Sequence, residues 1–374
     1  MMQHQQENTS NSILKQLSPS KVIIPIVIGL VVTAYLIYRD LTQQDLSSIL
    51  VTPDLFWLGM ALLVLVFRDL FYIYRIRYLT DRALSWKGSF YTIILWEFSS
   101  ALSPSAVGGT AVASFLLLKE GISFGKSLAY VLVSAILDNM YFIIFGGIVL
   151  LVNYFDLFSA GSIFYFEDTN PGFAATLRYL FYIGYGVITL YTLLMMYGLF
   201  VKPVFIKWLF VRITSIRWLK RWQRSAVKQG DELVLASGEL KGKGASYWSR
   251  AVISTILIWT SRYFIVNCLI SAFAYLSPDE HMFVLSRHVI LWVVLLIGIT
   301  PGASGIAEIA FKGFFIQFAG GLAGIIAILW RMVTYYPYLI LGAVFLPRWI
   351  RRVFFRKGDS DESDRREMPI QSSE

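Results

Sequence analysis

The sequence predicts an all-α polytopic membrane protein with about six full transmembrane helices and two re-entrant helical hairpins in an inverted repeat. Three observations predict it. Of 374 residues, 56% are hydrophobic and only 15% are charged, too little polar surface to coat a soluble globule of that size. Six apolar stretches reach spanning length. Two more are cut in the middle by Pro and Gly.

A hydrocarbon core about 30 Å thick needs about 20 apolar helical residues. Residues 21–38, 54–74, 126–152, 176–201, 251–276 and 322–346 supply such stretches. The first, Val22 to Tyr38, runs into Arg39 and Asp40 without a small-residue cleavage pattern, so it reads as a retained span. Residues 1–20 are polar and Gln/Ser-rich and read as a disordered cytoplasmic N-terminus; residues 21–346 form the membrane domain, and 347–374 a charged cytoplasmic tail.

The two interrupted segments are 88–118, broken at Ser103-Pro104-Ser105-Ala106-Val107-Gly108-Gly109, and 289–320, broken at Thr300-Pro301-Gly302-Ala303-Ser304-Gly305. Each arm of about 10 to 15 residues makes roughly 15 to 22 Å of helix, too short to cross. Pro with clustered Gly ends helices and favours a turn. Charge decides whether the segments cross or return. If both return and the N-terminus is inside, the inner face holds Arg75, Arg77, Arg82 and Lys87, then eleven Lys/Arg between Lys202 and Arg250, then seven from Arg348 onward. The outer loops 39–53, 153–175 and 277–288 then hold two basic residues against seven acidic ones. That matches the positive-inside rule, and crossing segments violate it. The localisation expected is a cytoplasmic (inner) membrane with both termini cytoplasmic.

The returning segments enter from opposite faces and resemble each other. Pro104 to Gly108 and Pro301 to Gly305 have the same spacing, Arg68 and Arg262 lie in the preceding spans, and Asp138 and Arg331 in the following ones. Such inverted repeats place a substrate site near the bilayer midplane, at broken helices.

Ionisable residues inside spans are costly and face a cavity or a partner. Here they are Arg68, Asp69, Glu97, Asp138, Arg262, Glu308, Lys312 and Arg331. Guanidinium forks bind phosphate in a bidentate manner at any cellular pH, and helix starts after Gly108 and Gly305 direct backbone N–H groups at an anion. Arg68, Arg262, Arg331, Pro104, Gly108, Gly109, Pro301, Gly302, Ser304, Gly305 and Glu308 are therefore the candidate substrate-binding residues, for an anionic lipid headgroup. Glu97, Asp138 and Glu308 are candidates for ion coupling. The structural alternatives are an Arg68–Asp69 pair satisfying neighbouring chain groups, a Glu308–Lys312 pair on one helix turn, an interfacial Glu97, and an Asp138 at the cytoplasmic surface.

Within the loop 202–249, Trp208, Leu209, Ile216, Leu219 and Trp222 alternate with Lys207, Arg212, Arg217, Lys220, Arg221 and Arg224. This pattern suits a basic amphipathic segment lying on anionic lipid. Nucleic acid is not expected as a partner despite the net charge of +9, because no soluble recognition module accompanies it. Cys268 is the lone cysteine, and His4, His281 and His288 lack further ligands at metal spacing. No metal or cofactor is expected. Gly302-Ala303-Ser304-Gly305 resembles the Gly-x-Ser-Gly of rhomboid-type serine proteases, but no His follows Ser304, so an enzyme is not expected.

The stretch Thr300-Pro301-Gly302-Ala303-Ser304-Gly305-Ile306-Ala307-Glu308 resembles the Pro-Gly-Gly-x-Gly-x-x-Glu signature of the lysylphosphatidylglycerol synthase transmembrane-region family, also called flippase-like. Pro104, Gly108 and Gly109 with Leu116 to Leu118, Lys119 and Gly121, the run from Arg75 to Leu79, and Arg331 are similar to other blocks of that family. Ala303 stands where Gly is usual. With 28 residues after Leu346, an aminoacyl-transfer domain is not expected. The resemblance implies translocation of a membrane phospholipid or polyprenyl-linked lipid between leaflets. The alternative it leaves is an accessory subunit presenting lipid to a separate glycosyl- or aminoacyl-transferase. Lipid identity, direction and oligomeric state are left open.

Overall fold

The computed structural model describes residues 52–103, 106–154, 171–216, 218–295, 303 and 305–355. Among them there are helices and connecting turns and no strand. The expected first span, the tips Pro104, Pro301, Gly302 and Ser304, and both terminal segments lie outside the described residues.

Helix α1 (Leu55–Leu79) starts where the Asp54 side chain accepts the Phe56 N–H at 2.9 Å, an N-cap that satisfies one orphan donor. It runs antiparallel to α8 (Ala245–Ser271), and the pair is pinned at both ends. Asp54 N donates to Ala272 O at 2.7 Å, and the Tyr247 hydroxyl to Leu79 O at 2.9 Å. These are the helices that precede the two hairpins. Their antiparallel pairing is what an inverted repeat requires of corresponding elements.

The first hairpin consists of α2 (Trp86–Leu102) and α3 (Ala106–Lys119). Its arms are in contact: a Cβ on Gly109 would lie 2.1 Å from Ser100 Oγ. Nine residues of continuous helix would separate these positions by about 13 Å, so the chain has turned back. Its ends meet too, since a Cβ on Gly88 would lie 2.7 Å from Glu120 Oε2. The second hairpin, α9 (Pro278–Leu295) and α10 (Ile306–Ala319), also returns. The rings of Phe283 and Phe318 lie 5.6 Å apart, and Arg287 donates to Phe314 O at 2.8 Å. The open end of this hairpin is beside the start of α1, where His281 meets Trp57 at 5.9 Å. The open end of the first lies beyond the C-terminal end of α1, at the Ser85 cap of α2. The hairpins therefore enter from opposite ends of α1.

The first hairpin is followed by α4 (Phe124–Tyr154) and then α5 (Pro171–Met196), which continues into a π-turn at Tyr197–Val201. The second is followed by α11 (Ala323–Thr334) and α12 (Tyr336–Ile350). Here the structure corrects the expected continuous span 322–346: it breaks at Tyr335, whose φ and ψ are −123° and −59°. Pro337 has no N–H and its ring crowds the carbonyl four residues earlier. The break lets α12 pack on the first hairpin while α11 stays with the second. At that contact a Cβ on Gly342 would lie 2.1 Å from the Phe98 ring, so only glycine allows the approach.

Five described stretches are long and apolar enough to cross a membrane, Leu55–Leu79, Phe124–Val152, Arg178–Val201, Ala245–Ser271 and Ile306–Phe354. Leu62, Leu63, Val66, Phe67 and Leu70 on α1, and Ile183, Val187, Leu190 and Leu194 on α5, are exposed. An apolar belt of that extent needs lipid around it. The basic loop folds as α6 (Pro203–Thr214) and α7 (Gln223–Lys241), joined by Lys207 and Asp231 at 2.5 Å, with α7 packed on α4. Val204, Phe205, Trp208 and Ile213 of α6 are exposed.

Candidate functional site

Between the hairpins lies a cavity of about 320 Å³. Both repeats contribute to its wall. From the first come Glu97 of α2, Thr110 of α3, and Asp138 and Asn139 of α4; from the second come Arg262 of α8, Ala303, and Arg331 of α11. Trp96, Trp259, Trp292 and Trp330 complete an aromatic lining. The site lies deep, because Arg68 behind Glu97 is the fourteenth residue of the 25-residue α1, roughly 17 to 20 Å from its ends.

Eight of the intramembrane charges among the described residues form three clusters. In the first, Arg68 is 1% exposed and donates to Glu97, to Asp69 at 3.1 Å and to the Tyr338 hydroxyl at 2.5 Å. Tyr338 donates in turn to Asp69 at 2.7 Å. Glu97 also faces Arg262 at 3.6 Å. Carboxylate and hydroxyl partners on three helices thus hold the Arg68 guanidinium where burial alone would be prohibitive.

The second cluster joins α1 to α4. Arg75 donates to both oxygens of Asp138, at 2.5 and 3.0 Å, and to Thr255 and Ser134 at 2.8 and 2.9 Å. The indole N–H of Trp259 reaches Asp138 at 2.7 Å. This corrects one expectation and decides between two readings of Asp138. Arg75 is not part of a surface basic cluster, because α1 continues to Leu79 and buries it to 1% exposure. Asp138 lies in the interior of α4 rather than at a surface. These partners lie 63 positions apart with no sequence pattern connecting them; the signal present is a basic residue directly after an apolar run, which reads equally as a span end.

In the third cluster, Glu308 accepts from Arg331 Nε at 2.8 Å and from Gly305 N at 2.6 Å. Gly305 has φ +87° and caps α10. The Glu308 carboxylate thus takes up a donor of the very helix start that was expected to face an anion. Gly108 lies in the first turn of α3 and Gly109 against Ser100. Ala303 has φ +52°, a left-handed conformation that favours glycine.

The three arginines singled out from the sequence therefore stand differently. Arg68 is enclosed by Glu97, Asp69 and Tyr338. Arg331 lines the cavity with its Nε given to Glu308 and its side chain 7% exposed. Arg262 lines it too, 24% exposed, with its guanidinium over the Trp259 ring at 5.2 Å. His288 reaches the cavity wall through α9, its Nδ1 3.1 Å from Tyr263 O. Ser304, the residue of the protease-like pattern, lies outside the described residues.

A family model described as lysylphosphatidylglycerol synthase TM region matches residues 22–342. A UPF0104 membrane protein of Archaeoglobus fulgidus is 23% identical over 328 residues, covering 86% of this chain and 95% of that protein. No solved structure matches.

Proposed function

Because the chain belongs to the lysylphosphatidylglycerol synthase transmembrane-region family, a family of multi-pass membrane domains, we propose that it moves a phosphate-bearing lipid headgroup between leaflets through the cavity between its hairpins. The observation that carries this reading is the placing of Arg262: a permanently charged guanidinium, partly exposed, in the wall of a deep cavity built by two oppositely inserted hairpins. A phosphate diester offers that fork two acceptor oxygens. Arg331, paired with Glu308, lines the cavity as well, and the aromatic lining packs around the headgroup while acyl chains stay in lipid.

In this reading the chain is a transporter in a cytoplasmic membrane and carries out no covalent chemistry. The positive-inside rule places the Thr80 end of α1 and the α6–α7 hairpin in the cytoplasm, with the exposed apolar side of α6 resting on the inner leaflet. Gly109, set against Ser100, lets the arms of the first hairpin approach.

The test is leaflet exchange of fluorescent phosphatidylglycerol by the purified protein in proteoliposomes, read by dithionite quenching. Exchange faster than in protein-free vesicles supports translocation. No exchange, with folded protein present, contradicts it and favours an accessory subunit that presents lipid to a separate transferase.

A further inference from the structure

We infer that the anionic headgroup crosses this site together with one proton, carried on Glu97. The inference rests on the translocation reading above and adds the coupling ion.

The first observation is charge balance. Within the three clusters around the cavity, Arg68, Arg75, Arg262 and Arg331 are matched by Asp69, Glu97, Asp138 and Glu308, and the balance holds within each cluster separately; Arg287 and Lys312 do not line the cavity. A phosphate diester entering such a site leaves it with a net negative charge in a region of low dielectric, which is costly. Protonation of one carboxylate restores neutrality.

The second observation is which carboxylate can release its partner. Asp69 is held by Arg68 and the Tyr338 hydroxyl and does not line the cavity, and Asp138 is held by two nitrogens of Arg75 and by the Trp259 indole. Glu308 is 3% exposed and fixed by Arg331 and the Gly305 amide. Glu97 stands at a fork, hydrogen-bonded to Arg68 on one side and facing Arg262 on the other at 3.6 Å, beyond hydrogen-bonding range. It also lines the cavity. When phosphate engages Arg262, Glu97 loses half of its positive surroundings while Arg68 remains. The groups facing it are Arg68, Asp69 and Tyr72 of α1, Arg262 of α8 and Tyr338 of α12, with Asp138, His288 and Arg331 across the cavity. Thr110, the cavity-lining residue of α3, brings no charge.

The step balances simply. A proton from water on the side of uptake forms an O–H bond on the Glu97 carboxylate as the phosphate pairs with Arg262. On the other side the headgroup leaves, that O–H bond breaks, and the proton returns to water as Glu97 faces Arg262 again. The cargo, one anion and one proton, carries no net charge. Transport therefore follows a pH gradient and ignores membrane voltage.

The experiment uses proteoliposomes of the full chain containing fluorescent phosphatidylglycerol, with a pH step of one unit and the potential clamped by valinomycin and equal potassium. One-to-one coupling predicts accumulation in one leaflet by up to about tenfold, a matching change of lumenal pyranine fluorescence, and no response to a potassium diffusion potential at equal pH. Glu97→Gln should lose both the asymmetry and the pyranine signal, and Glu97→Asp should retain them. Wild-type exchange that stays symmetric under the gradient, or that follows the potential, overturns proton coupling and leaves translocation standing. Asymmetry retained in Glu97→Gln overturns the role of Glu97. No lipid movement by the wild type takes down both readings.

Discussion

The guanidinium of Arg262 stands 3.6 Å from the carboxylate of Glu97, close enough for attraction and too far for a hydrogen bond. Arg68, on the opposite side of the same carboxylate, is hydrogen-bonded to it. Removing Arg262 therefore leaves Glu97 a buried partner and the fold its core. Arg262→Ala should preserve folded, monodisperse protein and lower phosphatidylglycerol exchange about ten- to hundredfold, the worth of one charge-assisted pair of about 1.5–3 kcal/mol. Arg262→Lys should lose less, because the charge remains while the bidentate fork is lost. Unchanged exchange in Arg262→Ala would remove it from the headgroup path.

Asp138 is the anion opposite fully buried Arg75, so Asp138→Ala strands a charge. A loss of about 3–5 kcal/mol is expected, seen as a lower thermal midpoint in detergent by tryptophan fluorescence. The double variant Arg75→Met/Asp138→Leu should be more stable than Asp138→Ala. A double variant no better than the single one would contradict the pairing.

Gly342 meets Phe98 where the last helix crosses the first hairpin. Gly342→Ala forces the ring aside and should cost about 1–3 kcal/mol. Combination with Phe98→Leu should recover part of the loss, measured by the same melts. An undisturbed Gly342→Ala would mean that α12 does not pack there.

Ala303 is a non-glycine residue at φ +52°. Ala303→Gly relieves that strain, about 1–2 kcal/mol offset by the greater flexibility of glycine in the unfolded chain. A modestly higher thermal midpoint is expected, and a lower one would contradict the conformation.

Hydropathy made the long helices legible, because crossing lipid demands unbroken apolar runs, and Pro104 and Pro301 with their glycines made the hairpins legible as interruptions. Charge asymmetry then implied that they return, and the contacts of Gly109 with Ser100 and of Phe283 with Phe318 are of that kind. The break at Tyr335 escaped because Pro337 sits in a run whose hydropathy does not falter. Buried ionisable residues were visible one at a time, but their pairing was not. Arg75 with Asp138, and Glu97 between Arg68 and Arg262, are set by which helices pack together, and nothing local encodes that. Glu308 shows the same limit: its partner is Arg331 on the next helix and the amide three residues back, whereas spacing alone suggested Lys312.

The central claim is that a headgroup passes through the cavity that Asn139, Arg262 and Arg331 line. Its most direct test is obstruction. In a Cys268→Ala background, Asn139→Cys is labelled with a bulky maleimide and exchange of fluorescent phosphatidylglycerol is compared before and after, with lipid-facing Val187→Cys as the control. The account predicts that labelling Asn139→Cys stops exchange and labelling Val187→Cys does not. Undiminished exchange with Asn139→Cys fully labelled would contradict it.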